Sequence, residues 1–288
     1  MSLSSTSKAL RYTTQNVPKA NEVQMVSCLL YWIGTPIPVM ILSNHWKFMT
    51  ERKKRGCGMK EKVVRDGLID MEVTLIEKMG TDLTVVNAAR VSFGKRKTKF
   101  SKQDEKLIRY LADHNHWTPF GHCSMQYHIS APVFVARQLV KHQVGLVWNE
   151  VSRRYVDSEP EFHQPKEWRL KAENKKQGSS SEVWKIEDEW GIIDDPNIAY
   201  ENMCNNARRK YLHWVNDLNI CPEQARMVLP QSMITEWYWS GTLMAFARVC
   251  NLRCKPDAQL ETRMVTDQID KLSSKEFPVS WEALRKDK

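Results

Sequence analysis

Two polar clusters frame a mostly apolar spacer in the stretch KHQVGLVWNEVSRRY, residues 141–155. Lys141, His142 and Gln143 stand at one end, and Asn149, Glu150, Ser152, Arg153 and Arg154 at the other. These side chains suit a ligand that carries both phosphate and hydroxyl groups. Arginine grips phosphate with a planar fork of donors, lysine meets it as a point charge, and a serine hydroxyl adds a further donor. This end therefore reads as a ribose- and phosphate-holding patch, with Ser152 and Arg154 suited to the phosphate. A plainer reading of Glu150 and Arg154, four apart, is a helical ion pair contributing roughly 0.3–0.5 kcal/mol. Ser152 is not expected to be a nucleophile, because no GxSxG elbow surrounds it and no base is forced beside it. Upstream, Arg137 and Lys141 are four apart, as are Gln138 and His142. Helical spacing would stack each pair on adjoining strips of one face. Val133, Phe134, Val135, Leu139 and Val140 make the same segment largely apolar, and polar groups beside a buried helix need partners. The two polar ends thus read as two walls of one site, with the spacer packed inward and Gly145 as its flexible point.

Other residues bear on chemistry. Arg226 in ARMVLP and Arg253 in CNLRCKPDAQ lie in apolar surroundings, which predicts a buried anionic partner for each. His114, His116 and His122 are close in sequence, but their spacing matches no metal signature and no carboxylate completes a set, so no metal is expected. Neither GxGxxG nor GxxxxGK[ST] occurs, so a Rossmann or P-loop phosphate cradle has no support.

The chain has 288 residues, 42% hydrophobic and 27% charged, with a formal net charge of +9. That fits a folded protein with a sizeable core, and the charge favours anionic partners such as nucleotides, nucleic acids or phosphorylated cofactors. The 7 cysteines are scattered, with no CxxC, which points to a reducing compartment and away from a disulfide framework or zinc ribbon. Cys250 and Cys254, four apart, are read as packing residues. The apolar run 26–42 carries Pro36 and Pro38 and is shorter than the roughly 20 residues a spanning helix needs. It sits in an extension, residues 1–70, expected to be poorly ordered or to lie upstream of the true start, with Met59 or Met71 beginning the domain proper.

The elements that must position these residues follow from periodicity. MEVTLI, 71–76, alternates like a strand, and HCSMQYHIS, 122–130, puts Cys123, Met125, Tyr127 and Ile129 on one face. Ser101 to His114 predicts a helix with Leu107, Ile108 and Leu111 on one side. A helix is expected from Pro132 through His142, another between Pro222 and Pro230, a long amphipathic one over Trp237–Arg253, and a last one over Asp257–Lys271. A polar loop at Lys175–Ser181 marks an insertion over 160–195. Strands early and helices late predict an α+β fold: one enlarged domain over 71–288, a mixed sheet packed by helices.

In order along the chain, AARVSF (88–93), HWTPFGH (116–122), APVFVARQLVKHQ (131–143), NEVSRRY (149–155), ARMVLP (225–230) and NLRCKPDAQLE (251–261) resemble motifs of the flavin-dependent thymidylate synthase family. The resemblance runs from Met71 to the C-terminus. It implies that family's non-Rossmann fold and its reaction: methylation of dUMP at C5, with methylenetetrahydrofolate as carbon donor, FAD as hydride carrier and NADPH as reductant. It also implies a cytoplasmic homotetramer with shared active sites, no nucleic-acid or membrane partner, and no cysteine nucleophile. By position, Arg253 resembles the arginine that stabilises charge on the activated pyrimidine. Gln138, Glu150, Ser152, Arg153, Arg154 and Arg226 resemble dUMP-binding positions. Ser92, His116, Thr118, Lys141, His142, Gln143, Glu150, Arg248 and Asn251 resemble flavin- and folate-side positions. The family's Arg-His-Arg is here Lys141-His142-Gln143, the spacer before Ser152 is one residue longer, and Asp257 replaces a common histidine. Two other readings compete: a basic helical nucleic-acid-binding module, and a family member without activity.

Overall fold

The alternation of residues 122–130 is realised in strand β2 (Ser124–Pro132), where Met125, Tyr127 and Ile129 are buried, as is Cys123 just before it. The computed structural model describes residues 71–173, 179–185 and 195–285. The expected extension over 1–70, the part of the polar loop at 175–178 and residues 186–194 of the expected insertion fall outside them. β2 pairs with β1 (Glu72–Met79) on one side and with β6 (Ile234–Thr242) on the other. The short strand β3 (Leu146–Glu150) closes the order β1-β2-β6-β3 as an edge. All three pairings are antiparallel, where a mixed sheet was expected.

Helices cover the sheet. In chain order α1 is Asp82–Arg90, α2 Lys102–Asp113, α3 Thr118–Gly121, α4 Val133–Leu139, α5 Pro196–Asn216 and α6 Pro222–Ala225. The last three are α7 (Leu243–Arg253), α8 (Leu260–Glu276) and α9 (Pro278–Leu284). The expected helix over Ser101–His114 is α2. Its first turn is closed by a capping box, in which the Asp104 side chain also returns to Ser101. The main core gathers Tyr127, Trp237, Trp239, Phe246, Ile269 and Trp281, all at 0–1% exposure. Phe162, Cys204 and Ala207 form a smaller core beneath α5.

Several expected boundaries move. Trp237–Arg253 is not one helix. Trp237 and Trp239 point inward while Tyr238 stays 46% exposed, the period of a strand, and the chain turns helical only at Leu243. Thr242 makes the switch, its hydroxyl accepting from the N–H of Ala245 at 3.2 Å. A late strand at the centre of the sheet thus corrects the expected order of strands early and helices late. The helix expected through His142 stops at Leu139, so Lys141 and His142 are not stacked on Arg137 and Gln138 as helical pairs. Glu150 ends a strand, so the helical ion pair with Arg154 does not form. Ser179–Val183, partly expected in the polar loop, is strand β5, which pairs with β4 (Arg169–Lys171).

Gly145 turns the chain from the 141–143 triplet into β3. Its φ is +77°, a left-handed value, and an added Cβ would stand 3.2 Å from the Ala245 Cβ and 3.3 Å from the Thr242 Oγ1. Gly145→Ala is expected to cost about 1–2 kcal/mol, seen as a Tm lowered by several degrees. An unchanged melt would show that the turn relaxes freely. The spacer that follows is an edge strand and packs only on alternate residues. Trp148 stacks on Trp237 at 4.5 Å between ring centroids. Val144 and Val147 are 73% and 72% exposed, where inward packing was expected.

Candidate active site

A cavity of about 460 Å³ opens where β3 ends and meets the turn around Arg226. Glu150, Ser152, Arg153 and Arg226, expected from sequence on the nucleotide side, all line it, together with Gln231 and Thr235. Glu150 is the last residue of β3, and its position there fixes its surroundings. Its Oε1 accepts from the Thr235 hydroxyl at 2.8 Å, and its Oε2 accepts from the Trp148 indole N–H at 3.3 Å. The Ser152 Oγ accepts from the Arg154 backbone N–H at 3.3 Å, which orders the turn after the strand. The Arg153 guanidinium donates to the Ser158 carbonyl and lies 5.9 Å from the Tyr211 ring centre. Arg154 leans over Tyr155 and donates to its hydroxyl at 2.8 Å, exposed and not among the lining of this cavity. Arg226 is exposed, and its Nε donates to the Glu223 carbonyl at 3.2 Å. The buried anionic partner expected for Arg226 is therefore replaced by solvent and a backbone acceptor.

Arg253, the last residue of α7, reaches back to the triplet. Its Nε donates to the Nε2 of His142 at 3.0 Å. A neutral acceptor thus takes the place expected for an anion at this nitrogen, on an arginine that is only half-buried. The contact needs an unprotonated Nε2, which places the imidazole proton on Nδ1. Burial, and then the positive charges of Arg253 and Arg248, hold the His142 pKa below its ordinary value. A depressed pKa contributes stability that is present above the unfolded value of about 6.5 and is lost as pH falls through the folded one. The Arg253–His142 contact is therefore expected to be intact at neutral pH and to break on acidification. An NMR titration of the His142 ring checks this, and a pKa above the ordinary value would contradict it.

A second cavity, of about 260 Å³, lies between the turn after α2 and helix α7. His116, Arg248 and Asn251, three of the residues expected to hold flavin or folate, line it, with Trp117, Met244 and Leu111 as its flat and apolar wall. Asn251 is committed to the fold. Its amide N–H donates to the Leu284 carbonyl at 2.9 Å and its oxygen accepts from Arg285, so it tethers α7 to α9.

Gln138, Lys141, His142, Gln143, Arg154, Arg253, Ser92 and Thr118 line neither of these two cavities. Lys141 and Gln143 are exposed beside the half-buried His142. The Gln138 amide is held on α8: its Oε1 accepts from the Thr262 hydroxyl at 2.5 Å, and its Nε2 donates to Gln259 at 3.4 Å. Thr118 opens α3, exposed. Ser92 sits in a short 3₁₀ turn, exposed, on a loop pinned by Asn87, which exchanges two bonds of 2.8 and 2.9 Å with the backbone of Lys97. Among the described residues no group of three His, Cys, Asp or Glu side chains could hold a metal ion. Burial pushes the Cys123 thiol up to about 11, and Cys250 is also raised, but a hydrogen bond from Cys250 lowers Cys254.

Sequence reasoning missed Thr235, Trp148 and Trp117. The signal for Thr235 was present. In ITEWYWSGT it lies two residues before the inward Trp237, and a strand reading would have put both on one face.

Residues 74–279 match the family described as thymidylate synthase complementing protein. A flavin-dependent thymidylate synthase from Thermus thermophilus is 34% identical over 211 residues, 73% of this chain and 74% of that protein. One from Kosmotoga olearia is 34% identical over 78% of this chain and 93% of its own. Among solved structures, the UMP/dUMP methylase PolB from Streptomyces cacaoi, bound with 5-Br dUMP, superposes with a TM-score of 0.63 at 29% identity. That likeness covers 74% of this chain and 94% of PolB.

Proposed function

The chain belongs to the flavin-dependent thymidylate synthase family, and from that premise we propose that it converts dUMP to dTMP by reductive methylation at C5. It is a methyltransferase. The observation that carries the reading is the convergence of Glu150, Ser152, Arg153 and Arg226 on one cavity. A nucleotide meets that set at both ends. Its phosphate suits the arginines and is repelled by the carboxylate, while a sugar hydroxyl or a ring N–H can donate to Glu150. Arg253 is the catalytic residue. That role rests on its position in NLRCKPDAQLE: with Nε given to His142, its two Nη groups carry the remaining donors, and a fixed cation beside charge developing on a pyrimidine lowers the barrier. Gln138 and Arg154 complete the nucleotide side.

FAD fits the other residue set. Trp117, Met244 and Leu111 offer flat apolar contact, and Arg248 and His116 offer polar groups for its phosphates. Ser92, Thr118, Lys141 and Gln143 would extend that hold. When bound, FAD supplies hydride equivalents drawn from NADPH, and methylenetetrahydrofolate supplies the one-carbon unit. The second cavity is small for a whole dinucleotide, and the edge strand β3 and the turn before it leave Val147 and Val144 uncovered. Both features favour a homotetramer whose copies complete one another's sites. A basic nucleic-acid-binding module is the poorer reading, because Arg153 and Arg226 face a concave pocket shared with a carboxylate. No described helix is long and apolar enough to cross a membrane, and a cytoplasmic enzyme suits the free cysteines of the described residues. The domain over 71–288 carries the activity, so removal of residues 1–58 should leave turnover unchanged, and a truncated chain that fails to fold would contradict this. Purified protein loaded with FAD should show the absorbance of an oxidised flavin. A chain that takes up no FAD but binds oligonucleotides tightly would overturn the proposal.

A further inference from the structure

Glu150 stands opposite Trp237 in the antiparallel pairing of β3 with β6. Thr235, two residues before Trp237, therefore lies on the same sheet face, diagonal to Glu150. Thr235 is 6% exposed, and its hydroxyl donates to Glu150 at 2.8 Å. Both residues line the cavity that also holds Arg153 and Arg226. A carboxylate free to turn in that space would be drawn to the two guanidinium groups, and would neutralise the charge that a phosphate needs. The hydroxyl of Thr235 and the indole of Trp148 each hold one oxygen and fix the acid at its own end.

We propose that Thr235 is a positioning residue for the nucleotide: it orients the Glu150 carboxylate towards the donor groups of dUMP and keeps it off Arg153 and Arg226. The proposal rests on the dUMP reading above. Thr235 touches no reacting atom in this scheme, so its loss should act on binding more than on the chemical step.

The test uses the full chain and calorimetric titration with dUMP. Thr235→Val keeps the shape and removes the donor. It should weaken dUMP binding about tenfold, the loss of one hydrogen bond to a charged group, with kcat little changed. Thr235→Ser keeps the hydroxyl and should recover most of the affinity. In a Glu150→Ala background, which removes the acceptor, Thr235→Val should add little further loss, because the pair acts as a unit. Melting curves of each variant establish that it is folded. Tight dUMP binding by Thr235→Val, or a penalty that persists undiminished in the Glu150→Ala background, would overturn the inference while leaving the dUMP reading standing. Failure of the unsubstituted chain to bind dUMP would overturn both.

Discussion

Arg253→Ala is expected to lower kcat for dTMP formation by about a hundredfold or more, the effect of removing one preorganised donor from a site of developing negative charge. The fold should survive. Arg253 ends α7, is only half-buried, and bonds through its Nε to a neutral imidazole, so its removal leaves no buried charge unpaired at that contact. A cost of about 1 kcal/mol in stability is the scale of that single bond. Arg253→Lys separates charge from geometry. Lysine keeps the cation but lacks the planar fork, so it cannot serve His142 and the substrate together in the same way. It should fall between the alanine variant and the unsubstituted chain. Turnover of Arg253→Ala within a few-fold of the unsubstituted chain would show that the role given to this residue is wrong.

Asp104 governs the largest expected change in stability. It is fully buried and accepts four bonds: from the Arg90 Nη2 at 3.0 Å, the Lys97 Nζ at 2.5 Å, and the backbone N–H and hydroxyl of Ser101 at 2.9 and 2.7 Å. Burial alone would raise its pKa, but hydrogen bonds from Lys97, Ser101 and Arg90 outweigh it and hold the carboxyl at about 2. Asp104→Ala removes the anion and leaves two cations without it. Breaking a buried pair costs roughly 3–5 kcal/mol, and the partial exposure of Arg90 and Lys97, 26% and 30%, points to the lower end. The pKa is depressed on folding, so the stabilisation is complete above the ordinary value of 3.8 and is lost as pH falls through about 2. Urea unfolding of Asp104→Ala at neutral pH should show the deficit, and the gap to the unsubstituted chain should narrow in acid. Equal stability at neutral pH would contradict the account. Since Asp104 also anchors the loop that carries Ser92, weaker FAD binding should accompany the lost stability.

The sheet's centre was legible where one pattern had no competitor. Residues 122–130 alternate without interruption, and β2 is there. Residues 237–253 were not, because two patterns run together: Trp237 and Trp239 alternate, while the residues after Thr242 repeat at helical spacing. Only the cap at Thr242 separates them, and a single threonine is a weak mark in a sequence. The same ambiguity carried the expected helix past Leu139 to His142. For the residues expected to hold a nucleotide, the grouping of four of them was legible and its geometry was not. Glu150, Ser152, Arg153 and Arg226 do share a cavity. Yet Thr235, which bonds Glu150, and His142, which bonds Arg253, lie 85 and 111 positions away from them, and no local pattern pairs residues so far apart. Burial was misjudged for Arg226, since apolar neighbours in sequence do not bury a side chain that leaves the turn towards solvent.

Turnover is the most direct test of the central claim. The purified full chain, loaded with FAD and given dUMP, methylenetetrahydrofolate and NADPH, should form dTMP, and omission of dUMP, the folate or the reductant should each stop it. Binding of FAD and dUMP with no dTMP formed under these conditions would contradict the account and leave a nucleotide-binding relative of the family without its reaction.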